Sequence, residues 1–123
     1  MSRDQQRLKD YLEHIIEAIR RIEQYIEDID ELEFIGNELI QDAVIRNLEV
    51  IGEASRNIEK HYPDYAKDHS EVPFSLAYEM RNAVAHGYFK IDYEVVWKTL
   101  ERDIPEFEKN ILLLLEAFKE SYE

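Results

Sequence analysis

The sequence predicts an all-α protein, an up-and-down bundle of four to five helices. Its apolar residues recur every three or four positions over long stretches, and no stretch shows the apolar–polar alternation of a strand. Only three glycines and three prolines occur in 123 residues, so few positions would interrupt a helix. A chain of this length fits one hydrophobic core, and residues 1–123 are therefore expected to form a single domain.

The first helix is predicted from an apolar stripe near the amino terminus. Its members are spaced alternately four and three residues apart: Leu8, Leu12, Ile15, Ile19, Ile22, Ile26 and Ile29. Tyr11, Ala18 and Tyr25 widen the stripe, as expected for a helix inside a bundle. After it, Asp30 and Asn37 are candidate N-caps on either side of a short helix.

The next two helices are predicted on either side of one loop. Residues 37–60 form the second long helix, and residues 61–73, with two prolines and no periodicity, form the loop. Pro73 is a favourable first-turn residue for a third helix that runs to about His86, where Gly87 can close it.

The last helical region follows Asp92, which is predicted to be an N-cap with Glu94 in the first turn. Its apolar stripe is again spaced by four and three: Leu100, Ile104, Phe107, Ile111, Leu114 and Phe118. Pro105 falls inside that stripe, and a kink or a break is expected near Asp103.

Composition excludes several classes of function. The formal charge is −13, from 15 basic and 28 acidic residues, and such a field repels phosphate backbones, so DNA is not an expected ligand. There is no cysteine, the four histidines are far apart, and no metal site or cofactor is expected. The longest apolar run, residues 111–115, is far shorter than a membrane span, and the protein is expected to be cytoplasmic.

The segment RNAVAHGY, residues 81–88, is the exception to the acidic character. Arg81 and His86 are five positions apart and project about 140° from one another on a straight helix. They can face one substrate if the arginine wraps round or if a second copy of the helix supplies the missing partner, and Ala83 and Ala85 are small enough for close approach. The competing interpretation is structural: Arg81, His86 and Tyr88 would simply satisfy a helix end.

A paired Arg–His site has a defined chemistry. Histidine, with an ordinary pKa of about 6.5, can take a proton from a ribose 2′-hydroxyl or return one to a leaving 5′-oxygen. An arginine fork can hold the phosphate and stabilise its developing charge. RNA cleavage by internal transesterification needs no metal and leaves a 2′,3′-cyclic phosphate; the residues allow this reaction without requiring it.

The motif R-N-x-x-x-H-x-Y-F-x-I-D, residues 81–92, resembles the signature of HepT-like toxins of the HEPN superfamily. The segment QDAVIRNLEVIGEASRNI at residues 41–58, the VPF at 72–74 and the VVW at 95–97 are also similar to that family. The likeness extends over most of the chain, from about Asp10 to Phe118.

The resemblance implies a HEPN-like bundle that forms a homodimer through the motif helix. It implies a metal-independent endoribonuclease, the toxin of a type VII-like toxin–antitoxin system, with Arg81 and His86 as catalytic residues, Asn82 in support and RNA as substrate. It further implies a minimal nucleotidyltransferase antitoxin that transfers AMP to Tyr88 and that assembles with the toxin into a larger hetero-oligomer.

An alternative stays open: a non-catalytic helical module that docks a nucleotidyltransferase and binds a nucleotide or its target. Other polar and aromatic residues receive structural interpretations. Arg46 and Asn47 are expected to face solvent or form salt bridges, although they could line the same cleft. Trp97 is expected to be a packing anchor, and Tyr62 and Tyr65 are expected to pack back on the bundle.

Overall fold

A computed structural model describes residues 1–75, 77 and 91–122. Every element within these ranges is a helix, which confirms the all-α prediction. The elements in chain order are α1 (Arg3–Ile26), α2 (Glu31–Ile35), α3 (Glu38–His61), α4 (Pro63–Asp68) and α5 (Tyr93–Tyr122).

The two amino-terminal long helices form the centre of the core. Ser2 caps α1 through a capping box with Gln5, whose backbone N–H donates to the Ser2 hydroxyl at 3.1 Å. The apolar stripe of α1 is buried against α3, and α5 packs on α1 from another side. The buried apolar side chains of α1 and α3 are Leu8, Leu12, Ile15, Ile16, Ala18, Ile19, Ile22, Val44, Leu48, Ile51, Ala54 and Ile58.

The short helix α2 and both of its predicted flanking caps are confirmed. Asp30 accepts a hydrogen bond from the Glu33 N–H at 2.9 Å, and Asn37 caps α3 by accepting from the Ile40 N–H at 3.0 Å. The buried Gln41 side chain donates to the carbonyls of Phe34 at 3.0 Å and Ile35 at 2.8 Å. These two bonds fix the end of α2 against the first turn of α3.

The expected loop at residues 61–73 contains a helix, so that prediction is wrong in part. Pro63 occupies the first turn of α4, with Asp64 beside it, which suits the N-terminal end of a helix. Tyr65 holds α4 on the bundle through its ring contact with Phe118, at a centroid distance of 6.2 Å. Packing to a distant part of the chain thus stabilises a helix too short to show periodicity.

Of the kink or break expected near Asp103, the break does not occur, because α5 continues through Pro105. Pro105 is exposed, so the carbonyl that loses its helical N–H partner can be hydrated. Ile104 and Phe107 are both buried, and they hold the helix on the core on either side of the proline. Tertiary packing therefore outweighs the local penalty.

Only the start of the predicted third helix lies within the described residues. The Ala77 N–H donates to the Pro73 carbonyl at 3.1 Å, which is the i to i−4 bond of a first helical turn. Residues 78–90 lie outside the described ranges, and with them the predicted end of this helix at His86 and Gly87.

Candidate active-site segment and its anchors

The predicted site residues Arg81, Asn82, His86 and Tyr88 all lie outside the described residues. The proximity of Arg81 to His86 is therefore untested. The structure describes residues 72–75 and 77 before them and residues 91–97 after them, and these two flanks are called the first and second anchors below.

The first anchor attaches the chain to the carboxyl-terminal part of α3. Val72 and Phe74 are buried, and the Phe74 ring makes an edge contact with Phe107 of α5 at 6.4 Å between centroids. The Ser75 hydroxyl donates to the Glu59 carboxylate of α3 at 2.9 Å. A motif helix that begins here starts from a fixed point near the end of α3.

The second anchor attaches the chain to α2. Asp92 caps α5 as predicted, accepting from the N–H groups of Glu94 at 3.0 Å and Val95 at 3.3 Å. Phe34 is fully buried between aromatic rings of α5: Tyr93 at 6.2 Å and Trp97 at 5.3 Å between centroids. Trp97 is thus confirmed as a packing anchor.

A groove of about 350 Å³ opens between α1 and α3. His14 of α1 and Arg46 of α3, two residues that no sequence spacing connects, both line it. Both belong to the chemical types that the predicted site uses, but Glu49 and Glu53 lie in the same groove and oppose phosphate binding. The complete lining is Tyr11, His14, Arg46, Glu49, Val50, Glu53, Ala54 and Asn57.

The two polar residues singled out on α3 have different environments. Arg46 is exposed, as expected, whereas Asn47 is buried, so its expected solvent-facing or salt-bridged position is wrong. The Asn47 amide donates to the Ala43 carbonyl at 2.9 Å, a bond within its own helix. The reason is that α3 contacts α1, α2 and α4, so the part of its surface that is buried is wider than its apolar stripe.

Ser55 is, with Gln41 and Asn47, a third buried polar residue on α3. It is fully buried, and its hydroxyl oxygen has no hydrogen-bond partner among the residues that the structure describes. A buried hydroxyl without a partner costs free energy because its bonds to water are lost.

The loop tyrosines pack on the bundle, as predicted. The Tyr62 hydroxyl donates to the Asp4 carbonyl at 2.8 Å, and its ring makes an edge contact with Tyr11 at 6.5 Å. Burial, with Glu71 nearby, raises the pKa of Tyr65 to about 12. Tyr65 is thus held neutral as a packing residue.

The carboxyl groups of Glu23 on α1 and Glu108 on α5 form a pair in which the pKa of Glu23 is unusual. Partial burial and a hydrogen bond with Glu108 of α5, reinforced by the charge of that carboxylate, raise the pKa of Glu23 to about 7, against a smaller opposing effect of Arg20. In this part of the chain α1 and α5 therefore share a proton near neutral pH.

Two absences can be stated for the described ranges alone. In them no group of three or more His, Asp and Glu side chains is arranged to hold a metal ion. Likewise, no described helix combines the length and hydropathy that crossing a membrane requires.

Comparison with known proteins also covers the residues between the two anchors, which the structure does not describe. The family model described as Ribonuclease HepT-like matches residues 15–114, a range that includes residues 81–92. The chain belongs to the HepT-like ribonuclease family.

Relatives of known name support this membership. A probable ribonuclease HepT from Thermococcus cleftensis is 45% identical over 105 residues, covering 82% of this chain and 93% of the relative. A putative RNase of Methanocaldococcus jannaschii is 39% identical over 104 residues, covering 85% and 93%. A third relative, a gamma-glutamylcyclotransferase and putative RNase of the same archaeon, is 36% identical over 109 residues and is matched over 48% of its length. No solved structure matches the chain.

Membership of the HepT-like family agrees with the all-α architecture. The matched range begins inside α1 and ends inside α5, so it contains both anchors and the whole of α3. Most of the α1–α3 groove lies within the same range, although its Tyr11 and His14 precede the first matched residue.

Proposed function

We propose that this protein is a metal-independent endoribonuclease, the cytoplasmic toxin of a prokaryotic toxin–antitoxin pair. The observation that carries the proposal is the family match across residues 15–114, since that range contains the complete R-x4-H motif. Arg81 and His86 are proposed as the catalytic residues, with Asn82 in support.

The proposed reaction is an internal transesterification. The ribose 2′-oxygen attacks the adjacent phosphorus as a histidine removes its proton, and the bond from phosphorus to the 5′-oxygen breaks as that oxygen gains a proton. The products are a 2′,3′-cyclic phosphate and a 5′-hydroxyl. The Arg81 guanidinium stabilises the additional negative charge on the phosphoryl oxygens in the transition state.

A homodimer accounts for the angular separation of the two residues. Because Arg81 and His86 project about 140° apart on one helix, two motif helices related by a two-fold axis would place both pairs in one cleft. One histidine would then act as the base and the other as the acid.

Control of the activity is proposed to depend on Tyr88. A minimal nucleotidyltransferase antitoxin would transfer AMP to the Tyr88 hydroxyl, which forms a phosphodiester with the α-phosphate of ATP and releases pyrophosphate. The added nucleotide carries bulk and negative charge to the mouth of a site that must admit phosphate. After exposure to the antitoxin, the Tyr88→Phe protein should show no mass increase from AMP and should still cleave RNA. A Tyr88→Phe protein whose cleavage is still abolished by AMP transfer would contradict this role.

A second candidate function rests on the charge. A formal charge of −13 opposes the binding of long RNA and favours a module that docks a nucleotidyltransferase without cleaving RNA. The enzyme and the module differ in one respect: only the enzyme turns over RNA.

Histidine variants separate these candidates. His86→Ala should abolish cleavage of a labelled RNA while the circular dichroism spectrum and the dimer are unchanged. His61→Ala is the matched control because His61 is exposed at the end of α3, and this variant should cleave as the wild type does. Equal turnover by the wild type and His86→Ala would remove the catalytic assignment, and a large loss in His14→Ala would transfer it to the α1–α3 groove.

A further inference from the structure

The corner between α2 and α3 exposes apolar side chains to an unusual degree. Leu32 and Leu39 are each 81% exposed, and Ile35 between them is 37% exposed. Single exposed leucines are ordinary on protein surfaces, but three large apolar side chains within eight residues form a local patch. The surface formed by these three residues and the acidic residues near them in the sequence is called the acidic corner below.

The charge around this patch has one sign. Between Arg21 and Arg46 there is no lysine, arginine or histidine, while acidic residues occur throughout that segment. Apart from the half-buried Glu31, and from Glu23 with its hydrogen bond with Glu108 of α5, its acidic side chains are exposed carboxylates: Glu27, Asp28, Asp30, Glu33, Glu38 and Asp42. The exposed leucines thus belong to a segment of exposed carboxylates, which are called the acidic rim below.

The negative charge around the exposed leucines limits which partners can bind this surface. Two copies of the corner would place acidic rims against each other, and like charges across an interface oppose association. RNA and an anionic membrane surface are repelled for the same reason. A protein with an apolar contact inside a basic rim is attracted by both features.

The corner adjoins the second anchor. On the inner side of α2, Phe34 contacts Tyr93 and Trp97 of α5. Tyr88 precedes Ile91 by three residues, so even a fully extended chain keeps it within about 10 Å of Ile91. A domain-sized partner seated on the corner would have Tyr88 within its reach.

We propose that the acidic corner is the docking surface for the nucleotidyltransferase partner, which binds it through an apolar contact inside a basic rim. The proposal rests on the proposed function for the identity of the partner, but the surface itself is read from described residues alone. Docking here would hold the partner beside the tyrosine that it modifies.

The test compares two pairs of exposed leucines. Leu32→Gln with Leu39→Gln changes the corner, and Leu112→Gln with Leu113→Gln is the matched control on α5, where these residues are 40% and 55% exposed. Titration calorimetry with the minimal nucleotidyltransferase of the proposed pair should give at least a tenfold higher Kd for the corner variant and less than a twofold change for the control. Wild-type binding should weaken as salt rises from 50 to 300 mM.

The rate of AMP transfer supplies a second readout. At low transferase concentration the corner variant should be modified at least tenfold more slowly than wild type, and saturating transferase should restore the rate, because docking rather than chemistry is impaired. Wild-type affinity in the corner variant, or an equal loss in the control, would overturn the proposal.

A different result would challenge the proposed function alone. If the wild type does not bind the nucleotidyltransferase, the partner assignment fails, and the corner is then probed with a synthetic amphipathic helix of leucine and lysine. Methyl NMR shifts at Leu32 and Leu39 that vanish in the corner variant would retain the surface as a site for basic partners. Shifts centred on Leu112 and Leu113, or spread over the surface, would exclude it.

Discussion

Replacing Gln41 with methionine tests how α2 is held against the second anchor. Gln41 is buried, and its amide is the group that joins the first turn of α3 to the carbonyls at the end of α2. Methionine has a similar shape and removes the side-chain amide, so packing is largely retained. The loss therefore measures the two hydrogen bonds.

The magnitude follows from what each carbonyl retains. The Phe34 carbonyl keeps a second donor, the Asn37 N–H at 3.2 Å, so its loss is about 1 kcal/mol. The Ile35 carbonyl loses its 2.8 Å bond with Gln41 in a partly buried position, which adds about 1 kcal/mol or slightly more. The free energy of unfolding should fall by about 2 kcal/mol.

Urea denaturation followed by circular dichroism measures this change. The midpoint for Gln41→Met should fall by about 1 M with an unchanged m value. Gln24→Met, an exposed change on α1, is the control and should alter stability by less than about 0.5 kcal/mol. A Gln41→Met protein as stable as wild type would refute the view that these two bonds fix α2.

Three further substitutions have expected effects on stability. The pKa of Glu23 is raised to about 7, so the fold favours the protonated carboxyl that is hydrogen-bonded with Glu108. The resulting contribution to the free energy of unfolding is fully present below pH 4.5 and is lost as pH rises through 7. Glu23→Gln should thus match wild type at pH 4.5 and exceed it above pH 8, by about 1 kcal/mol or less because Glu23 is still largely exposed. Ser55→Ala should raise stability by up to about 1 kcal/mol by removing a buried hydroxyl; a clear loss in urea denaturation would mean that the hydroxyl is bonded. Pro105→Ala should raise it by about 1 to 2 kcal/mol, less than the helix-propensity difference of about 3 kcal/mol because proline also restricts the unfolded chain, and unchanged stability would contradict a continuous α5.

The parts of the fold that the sequence predicted are those that local chemistry decides. Asp30, Asn37 and Asp92 were recognised as caps because a short acceptor side chain at a helix start bonds the N–H groups two or three residues ahead. The long apolar stripes were recognised because burial of one helix face imposes a spacing of three and four. Neither feature depends on distant residues.

The errors arose where distant residues decide the outcome. The helix α4 depends on the contact of Tyr65 with Phe118, and the continuity of α5 through Pro105 depends on the burial of its neighbours in the core. Asn47 was misplaced because the apolar stripe of α3 does not reveal how many elements cover that helix. None of these facts is visible in a local pattern.

The candidate site was predictable only in part. The R-x4-H motif at residues 81–86 was recognised through its resemblance to a family, whereas the groove that His14 and Arg46 both line depends on how α1 packs against α3. The acidic corner could be read as a charge pattern, but the exposure of Leu32 and Leu39 could not. Amphipathic spacing gives no warning of a leucine that the fold leaves in solvent.

Cleavage of RNA without metal tests the central claim most directly. Wild type, His61→Ala and His86→Ala are incubated with an end-labelled RNA in excess EDTA, and the product ends are identified by mass spectrometry. The account predicts that wild type and His61→Ala release fragments ending in a 2′,3′-cyclic phosphate, and that His86→Ala releases none. Cleavage that stops in EDTA, or that persists unchanged in His86→Ala, would contradict it.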